Sequence, residues 1–342
     1  MNYNKILLNL LGILIILYFE TASQTQAVTD HHFKVIVLGS GGGPDESNLS
    51  SYFISTSDSN NYVALDAGTI LHGIDIAIQK KSFNDVRIPE KSGLKPKYYL
   101  LQNNIKAYLL THAHMDHIAG LITASPYDKS KNIYGLPSTV EYISNNIFNW
   151  KIWPNFGNEG KDPILNRYKF VNLIPGKEYS IEETTLKVTA FPLSHSNNYL
   201  STAFLIRSET KYVLYIGDTG ADQIEKSDKM EKLWSHVAPI IKDRNLTAIF
   251  IECSFTNKRP DNILYGHLTP RWLLQELNNL STKVGNRNLT KEISGLPVVI
   301  THIKSDPKSS VNAKKIIYSE LTENNNLGVR FIIPEQGDKL MF

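Results

Sequence analysis

Cysteine is almost absent: Cys253 is the only one in 342 residues. No disulfide can form within the chain, so its stability must come from an apolar core. Cys253 lies in the run Ala248-Ile-Phe-Ile-Glu-Cys253, where a buried, inert thiol is the default. One-sided charge is also missing. Thirty-six basic residues against 33 acidic ones leave a formal net charge of +3, and no basic run occurs. A nucleic-acid partner, which needs Lys and Arg massed against phosphates, is therefore not expected. There is no short-period repeat, no low-complexity tract and no linker between two composition regimes, which leaves a single domain. Hydrophobic residues make up 42% of the chain, as in an ordinary soluble protein. A chain of this length can bury roughly three quarters of its unfolded surface.

The N-terminus is distinctive. Lys5 precedes an apolar stretch from Ile6 to Phe19, and the polar segment Glu20-Thr-Ala-Ser-Gln-Thr-Gln-Ala27 follows. A basic start, a brief apolar run and a small residue at a cleavage point describe a secretory signal peptide over residues 1–27. The alternative, an uncleaved anchor, wants ~20 apolar residues, and this run is shorter and broken by Asn9. The mature chain, 28–342, is expected to be periplasmic and free of the membrane, with no cysteine at the cleavage point to carry a lipid.

Strand-like runs are Phe33–Leu38, Tyr52–Ser55, Tyr62–Leu65, Ala107–Thr111, Thr185–Phe191, Ser201–Ile206, Tyr212–Ile216, Ala248–Glu252, Val298–Thr301 and Val329–Ile333. Helical periodicity marks Ile70–Gln79, Arg271–Leu280 and Val311–Glu323. The polar segments Lys80–Lys97 and Tyr127–Asp162 read as excursions from the core. The second carries Phe148-Asn-Trp-Lys-Ile-Trp-Pro-Asn-Phe156, whose aromatics either line a pocket or cover a core edge.

The chemistry concentrates in Thr111-His-Ala-His-Met-Asp-His117, three histidines and an aspartate within six residues, directly after an apolar strand. His112 and His114 alternate along extended backbone, so their rings point the same way. Asp116 and His117 follow at a strand-to-helix turn and fold back toward the same point. Imidazoles converging with a carboxylate suit a borderline-soft divalent cation, zinc above magnesium or calcium. His195, His302 and Asp218 stand at the ends of β runs, and His267 lies in a loop ahead of a helix. Singly, each would more often be structural; the repeated placement is what carries the reading. His31 and His32, at the start of the mature chain, are expected to be disordered, and His72 and His236, on helical patterns, to be ordinary polar residues. The turn Gly39-Ser-Gly-Gly-Gly-Pro44 is no phosphate loop of the Gly-Lys-Ser/Thr kind. Its amides either contact phosphate near the metals or simply form a tight loop.

His112-Ala-His-Met-Asp-His-Ile-Ala-Gly-Leu-Ile-Thr-Ala-Ser-Pro126 resembles the metal-binding run of the metallo-β-lactamase superfamily and, within it, of the class II cyclic-nucleotide phosphodiesterases. Met115 in place of Leu is the one departure. The likeness extends through Leu65-Asp-Ala-Gly-Thr69, Ile133-Tyr-Gly-Leu-Pro137, Gly266-His-Leu-Thr-Pro270 and Thr301-His-Ile-Lys304, nearly the whole mature chain. The resemblance implies an α/β fold, an αββα sandwich with the metals at one edge between two sheets. It implies that His112, His114 and His195 hold one metal, that Asp116, His117 and His302 hold a second, and that Asp218 bridges them. Two Zn2+ are implied, Mn2+ being the alternative, with Asp66 orienting the motif histidines from behind, unless it is merely a turn former before Gly68. The implied reaction is hydrolysis of a 3′,5′-cyclic nucleotide to the 5′-monophosphate, cyclic AMP favoured and cyclic GMP the alternative. Asp116 would position or deprotonate the attacking water, and Glu252 would hold His267 protonated as the donor to the leaving oxygen. No residue is assigned to the base. A tRNA 3′-processing nuclease shares the metal set, but export and the lack of a basic, glycine-rich arm speak against it. A β-lactamase lacks the Asp218 bridge in this setting and the later Glu252 and His267. A non-enzymatic binder would be expected to have lost ligands, and here none is missing.

Overall fold

The computed structural model describes residues 32–196, 199–285, 292–307 and 312–342. The expected signal segment and His31 lie outside the described residues. Among the described residues, fourteen strands form two seven-stranded sheets. The first has the order β14-β1-β2-β3-β4-β5-β6: Lys339–Met341, Phe33–Gly39, Ser51–Thr56, Tyr62–Leu65, Ile105–Leu109, Lys131–Gly135 and Tyr168–Asn172. The second runs β13-β12-β11-β10-β9-β8-β7: Arg330–Ile332, Pro297–Thr301, Leu246–Glu252, Lys211–Ile216, Leu200–Ser208, Lys187–Ser194 and Glu178–Ser180. In each sheet one half is antiparallel; β3 through β6, and β10 through β13, are parallel.

The side-chain alternation of β1 explains the layering. Phe33, Val35 and Val37 join the core between the sheets, with Leu65, Val188, Phe204 and Phe250. Ile36 and Leu38 face the other way, into a cluster with Ile74 of α1 (Leu71–Gln79) and Ile118 and Leu121 of α2 (Met115–Ala124). Burial on both faces is why β1 reads as an almost continuous apolar run. A third cluster coats the outside of the second sheet with α4 (Lys229–Lys242), α5 (Pro270–Val284) and α6 (Ala313–Glu323); α3 (Pro137–Tyr142) follows β5. The result is the expected αββα sandwich. Among the described residues no helix is long and apolar enough to cross a membrane.

Ten expected strands and three expected helices are present, with ends shifted by up to three residues where described, except that the helix read over Arg271–Leu280 runs on to Val284. The start of the last expected helix, Val311, lies outside the described residues. One reading is corrected, and one helix is present where none was expected. Tyr127–Asp162 is not an excursion, because it contains β5, all five residues of which are buried. Lys131 and Asn132 made that strand look polar; both are consumed inside, Lys131 by Asp128 and Asn132 by the Tyr134 hydroxyl. The sequence reading also passed over α4. Pro239 reads as a breaker, yet Met230, Leu233, Trp234, Val237, Ala238 and Ile241 form one buried helical stripe. The aromatic segment covers a core edge. Phe148 and Phe156 pack edge to face at 6.1 Å, and Trp153 Nε1 donates to Ser125 Oγ at 3.0 Å.

Candidate metal centre

The C-terminal ends of the parallel strands, with the end of β8, deliver the chemistry to one edge of the sandwich. Asp66 follows β3, His112 follows β4 after a three-residue step, Asp218 follows β10, Glu252 ends β11 and His302 follows β12; His195 follows β8. His114 sits at the cap position of α2, so Asp116 and His117 lie in its first turn. The backbone is bent to make this possible. Asp66 and His302 adopt φ of 53° and 57°, a left-handed conformation uncommon outside glycine. Gly68 stands where a Cβ would lie 2.1 Å from the Asp116 carbonyl, so only glycine lets the two turns meet.

Seven side chains converge there. His112 Nε2 is 3.1 Å from His114 Nδ1, which is 3.3 Å from His195 Nε2. His302 Nε2 is 3.1 Å from Asp116 Oδ2, and His117 completes that second group. Asp218 lies within reach of both, 3.3 Å from His117 Nε2, 3.2 Å from His302 Nε2 and 3.9 Å from His112 Nε2 and His195 Nε2. Ligands about 2.0–2.1 Å from a tetrahedral zinc stand roughly 3.3 Å apart, so the donor spacing fits such an ion. His117 Nε2 supports this fit, being buried with no hydrogen-bond partner. Its 3.3 Å approach to Asp218 is a charge contact without hydrogen-bond alignment.

The nitrogens are presented by their partners. His195 Nδ1 donates to the Gly266 carbonyl at 2.8 Å, and His117 Nδ1 to Asp66 Oδ2 at 2.8 Å. Thr111 Oγ1 lies 2.9 Å from His112 Nδ1 and donates to Asp66 in turn. Asp66, the residue expected behind the ligands, also accepts from Thr111 N and from the Tyr215 hydroxyl of the opposite sheet. Burial holds the first three histidines toward the neutral form: His112 well below its usual value, His114 below it and His195 down to about 4. Neutral imidazole is the form that binds a metal. At His117 burial works the same way, but Asp218 and then Asp66 outweigh it and raise the pKa well above the usual value. That pair of carboxylates calls for positive charge at Nε2.

Glu252 and His267 meet beside this group. His267 Nδ1 is 2.7 Å from Glu252 Oε1, and both are buried. Glu252 further accepts from Thr219 N, Ser254 N, Ser254 Oγ and Leu268 N. Burial would raise its pKa, and Asp218 adds to that, yet His267 and then His302 keep it below the usual value. Burial of His267 opposes its charge, and Glu252 followed by Asp218 overrides it upward. With Nδ1 committed to Glu252, a proton on Nε2 is the one this ring can give. His267 also lies close enough to His195 and Asp218 to be a ligand, and its bond to Glu252 is what sets it apart.

The Gly39–Gly43 turn is a tight loop rather than a phosphate cradle. Gly41 N donates to Asn48 O, Gly42 N to Ile303 O and Gly43 N to Asp116 Oδ2, so these amides are used. A Cβ on Gly42 would stand 2.3 Å from the His302 ring, which is thus packed into position by the loop. His72 and His236 are exposed on α1 and α4. Three participants escaped sequence reading. Ser254 Oγ lies 2.9 Å from His302 Nδ1 while donating to Glu252, which ties that histidine to the Glu252–His267 pair. Tyr199 stacks on His114 at 4.7 Å, and Tyr215 holds Asp66. Only Ser254, two residues past Glu252, had a sequence signal that could have found it.

The two sheets and their edge-on cluster define a metallo-β-lactamase fold with a candidate metal site. Bacillus subtilis YhfI, a protein of that fold, superposes with a TM-score of 0.56 at 18% identity, covering 91% of this chain and 99% of its own. Unliganded yeast PDE1 superposes better, with a TM-score of 0.79 at 26% identity, covering 91% and 100%. A model of the family described as cAMP phosphodiesterases class-II matches residues 29–337. A 3′,5′-cyclic-nucleotide phosphodiesterase of Aliivibrio fischeri is 46% identical over 311 residues, 91% of this chain and 93% of that protein. The chain belongs to the class II cyclic-nucleotide phosphodiesterases.

Proposed function

We propose that the protein hydrolyses 3′,5′-cyclic nucleotides, cyclic AMP above cyclic GMP, to nucleoside 5′-monophosphates with two divalent ions, zinc favoured and manganese the alternative. Family membership supports the substrate class. The observation that carries the mechanism is the buried Glu252–His267 pair at 2.7 Å beside a seven-residue donor set. His112, His114 and His195 would hold one ion and Asp116, His117 and His302 the other, with Asp218 shared. The ions would supply Lewis acidity at the phosphoryl oxygens and acidify the attacking water. Asp116, the most solvent-open of these carboxylates, aligns that water and draws on its proton. Attack at phosphorus breaks the bond to the 3′ oxygen, and His267 passes its proton to that oxygen as it leaves. Glu252 keeps the ring charged until then.

His267→Ala should lose ~10²–10⁴ in rate on cyclic AMP while keeping its metals, since the leaving alkoxide then departs unprotonated. The loss should shrink for a p-nitrophenyl ester, whose leaving group needs little protonation. Equal losses on both substrates would refute the proton-donor role, and loss of metal would make His267 a ligand.

The basic start, the apolar run and Ala27 support a further proposal, that residues 1–27 are a cleaved signal and the mature enzyme is periplasmic. N-terminal sequencing of protein from cells should begin near Val28; an intact Met1 in a membrane fraction would overturn it.

A further inference from the structure

Next to the metal centre lies a cleft of about 610 Å³ that the mechanism above does not use. Its walls hang on the site's own backbone. Lys304, two residues past His302, donates its amide to the Ser254 carbonyl, and Phe255 follows Ser254 directly. The Phe255 ring meets His267 edge to face at 5.7 Å. The Lys304 stem lies 3.7 Å from where a Cβ on Gly43 would stand, and the Gly43 amide holds Asp116. One end of the cleft is therefore walled by Phe255, which touches the proposed proton donor, and by Lys304, two residues past His302.

The lining has the character of a nucleotide site. Phe255, Ile263 and Ile316 give it apolar walls, and the cations Lys258, Arg259 and Lys304 outnumber Asp306. Arg259 is pinned by its Nε bond to the Ile263 carbonyl, with its guanidinium 4.6 Å from the Phe255 ring centre. Phe255 is thereby held by a cation over its face and a histidine at its edge. Among the described residues the Lys304 ammonium has no hydrogen bond or ion pair. An unpaired cation beside a phosphodiester site is complementary to an anionic ligand. The volume falls within the roughly 300–1,000 Å³ of small-molecule sites.

We propose that this cleft receives the nucleoside half of the cyclic nucleotide, the base against Phe255 and the phosphate end toward Lys304. The assignment rests on the activity proposed above. It makes Phe255 a residue that sets affinity for the base rather than rate at phosphorus.

The test compares 3′,5′-cyclic AMP with its base-free analogue, 1-O-methylribose 3′,5′-cyclic phosphate, on the metal-loaded full chain. Phe255→Ala should raise KM for cyclic AMP on the order of tenfold, as loss of a base-stacking ring does, and change kcat little. Its effect on the base-free analogue should be far smaller. Ile316→Glu, across the cleft, should reproduce the selective rise in KM and covers the case in which Phe255→Ala folds poorly. Equal losses on the two substrates would overturn the cleft assignment alone. So would a base-selective loss in Tyr142→Ala, on the other flank by Tyr199, with none in Phe255→Ala. A wild-type enzyme inactive on every cyclic nucleotide would overturn the activity and the cleft with it.

Discussion

Two buried aspartates in the first sheet have nearly the same surroundings and opposite consequences. Asp66, at the C-terminal end of β3, accepts from a backbone amide, a threonine hydroxyl, a tyrosine hydroxyl and His117. Asp128 stands near the N-terminal ends of β5 and β6. It accepts from the Lys129 amide, the Tyr108 and Tyr168 hydroxyls and the Lys131 ammonium. Burial and the Asp128 charge push both tyrosines well above their usual pKa, and burial pulls Lys131 below its own despite the pairing. Every donor around Asp128 ends there. Around Asp66, the His117 ring passes the carboxylate's pull on to a second nitrogen that has no protein hydrogen-bond partner. A buried, fully bonded carboxylate is thus no sign of function by itself; a partner with an unused ligand atom is. The end of the sheet matters too, because parallel strands direct their C-terminal loops to one crevice.

The most severe way to break the functional end is Asp218→Ala. Asp218 is the carboxylate within 3.9 Å of nitrogens from both histidine groups. Its loss should lower metal content at both positions and take turnover below detection. Full metal content and rate in that variant would refute the shared-ligand assignment.

Sharper still is the pair Asp66→Asn and Asp128→Asn. Asparagine keeps the shape and removes the charge. At Asp66 the change should weaken metal binding about 10–100-fold, the usual effect of removing a group that orients a ligating histidine. At Asp128 it strands the buried Lys131 ammonium, so stability should fall by about 3–5 kcal/mol with metal affinity unchanged. Chelator competition and denaturant unfolding measure the two quantities. Weaker metal binding in Asp128→Asn would erase the distinction between the two ends.

The same contrast explains what could be read from the sequence. His112, His114, Asp116 and His117 lie within six residues, so their geometry follows from one strand, one turn and one helix. His195, Asp218, Glu252 and His302 stand at strand ends, a pattern visible wherever an apolar run stops. The supports were hidden because they arrive from the far sheet: Tyr215 lies 149 residues from Asp66. Buried charge hid structure in the same way. Lys131 disguised β5 as a loop, since a lysine reads as surface until its partner is known, and Pro239 disguised α4. The cleft beside Phe255 and Lys304 exists only where β11 and β12 lie side by side, and local spacing cannot reveal it.

The smallest effect tests the comparison most finely. Tyr215 donates to Asp66 Oδ2 at 2.9 Å, and Tyr108 to Asp128 Oδ2 at 2.7 Å. Each hydroxyl is one of several donors to its carboxylate, so phenylalanine at either position removes one bond to a charged group. Each variant should lose stability of about 1.5–3 kcal/mol, seen as a lower denaturation midpoint of the metal-free protein. What differs lies downstream. Without the Tyr215 hydroxyl, Asp66 has a freer oxygen and a less fixed orientation, and the same Oδ2 receives His117 Nδ1. The His117 ring should then be held less firmly, and metal affinity should fall by a factor below the Asp66→Asn loss. Tyr108→Phe has no such path, because Asp128 contacts no side chain of the proposed donor set among the described residues. Equal metal affinity in both variants would mean that Asp66 is held by Thr111 alone and that Tyr215 serves only to join the sheets.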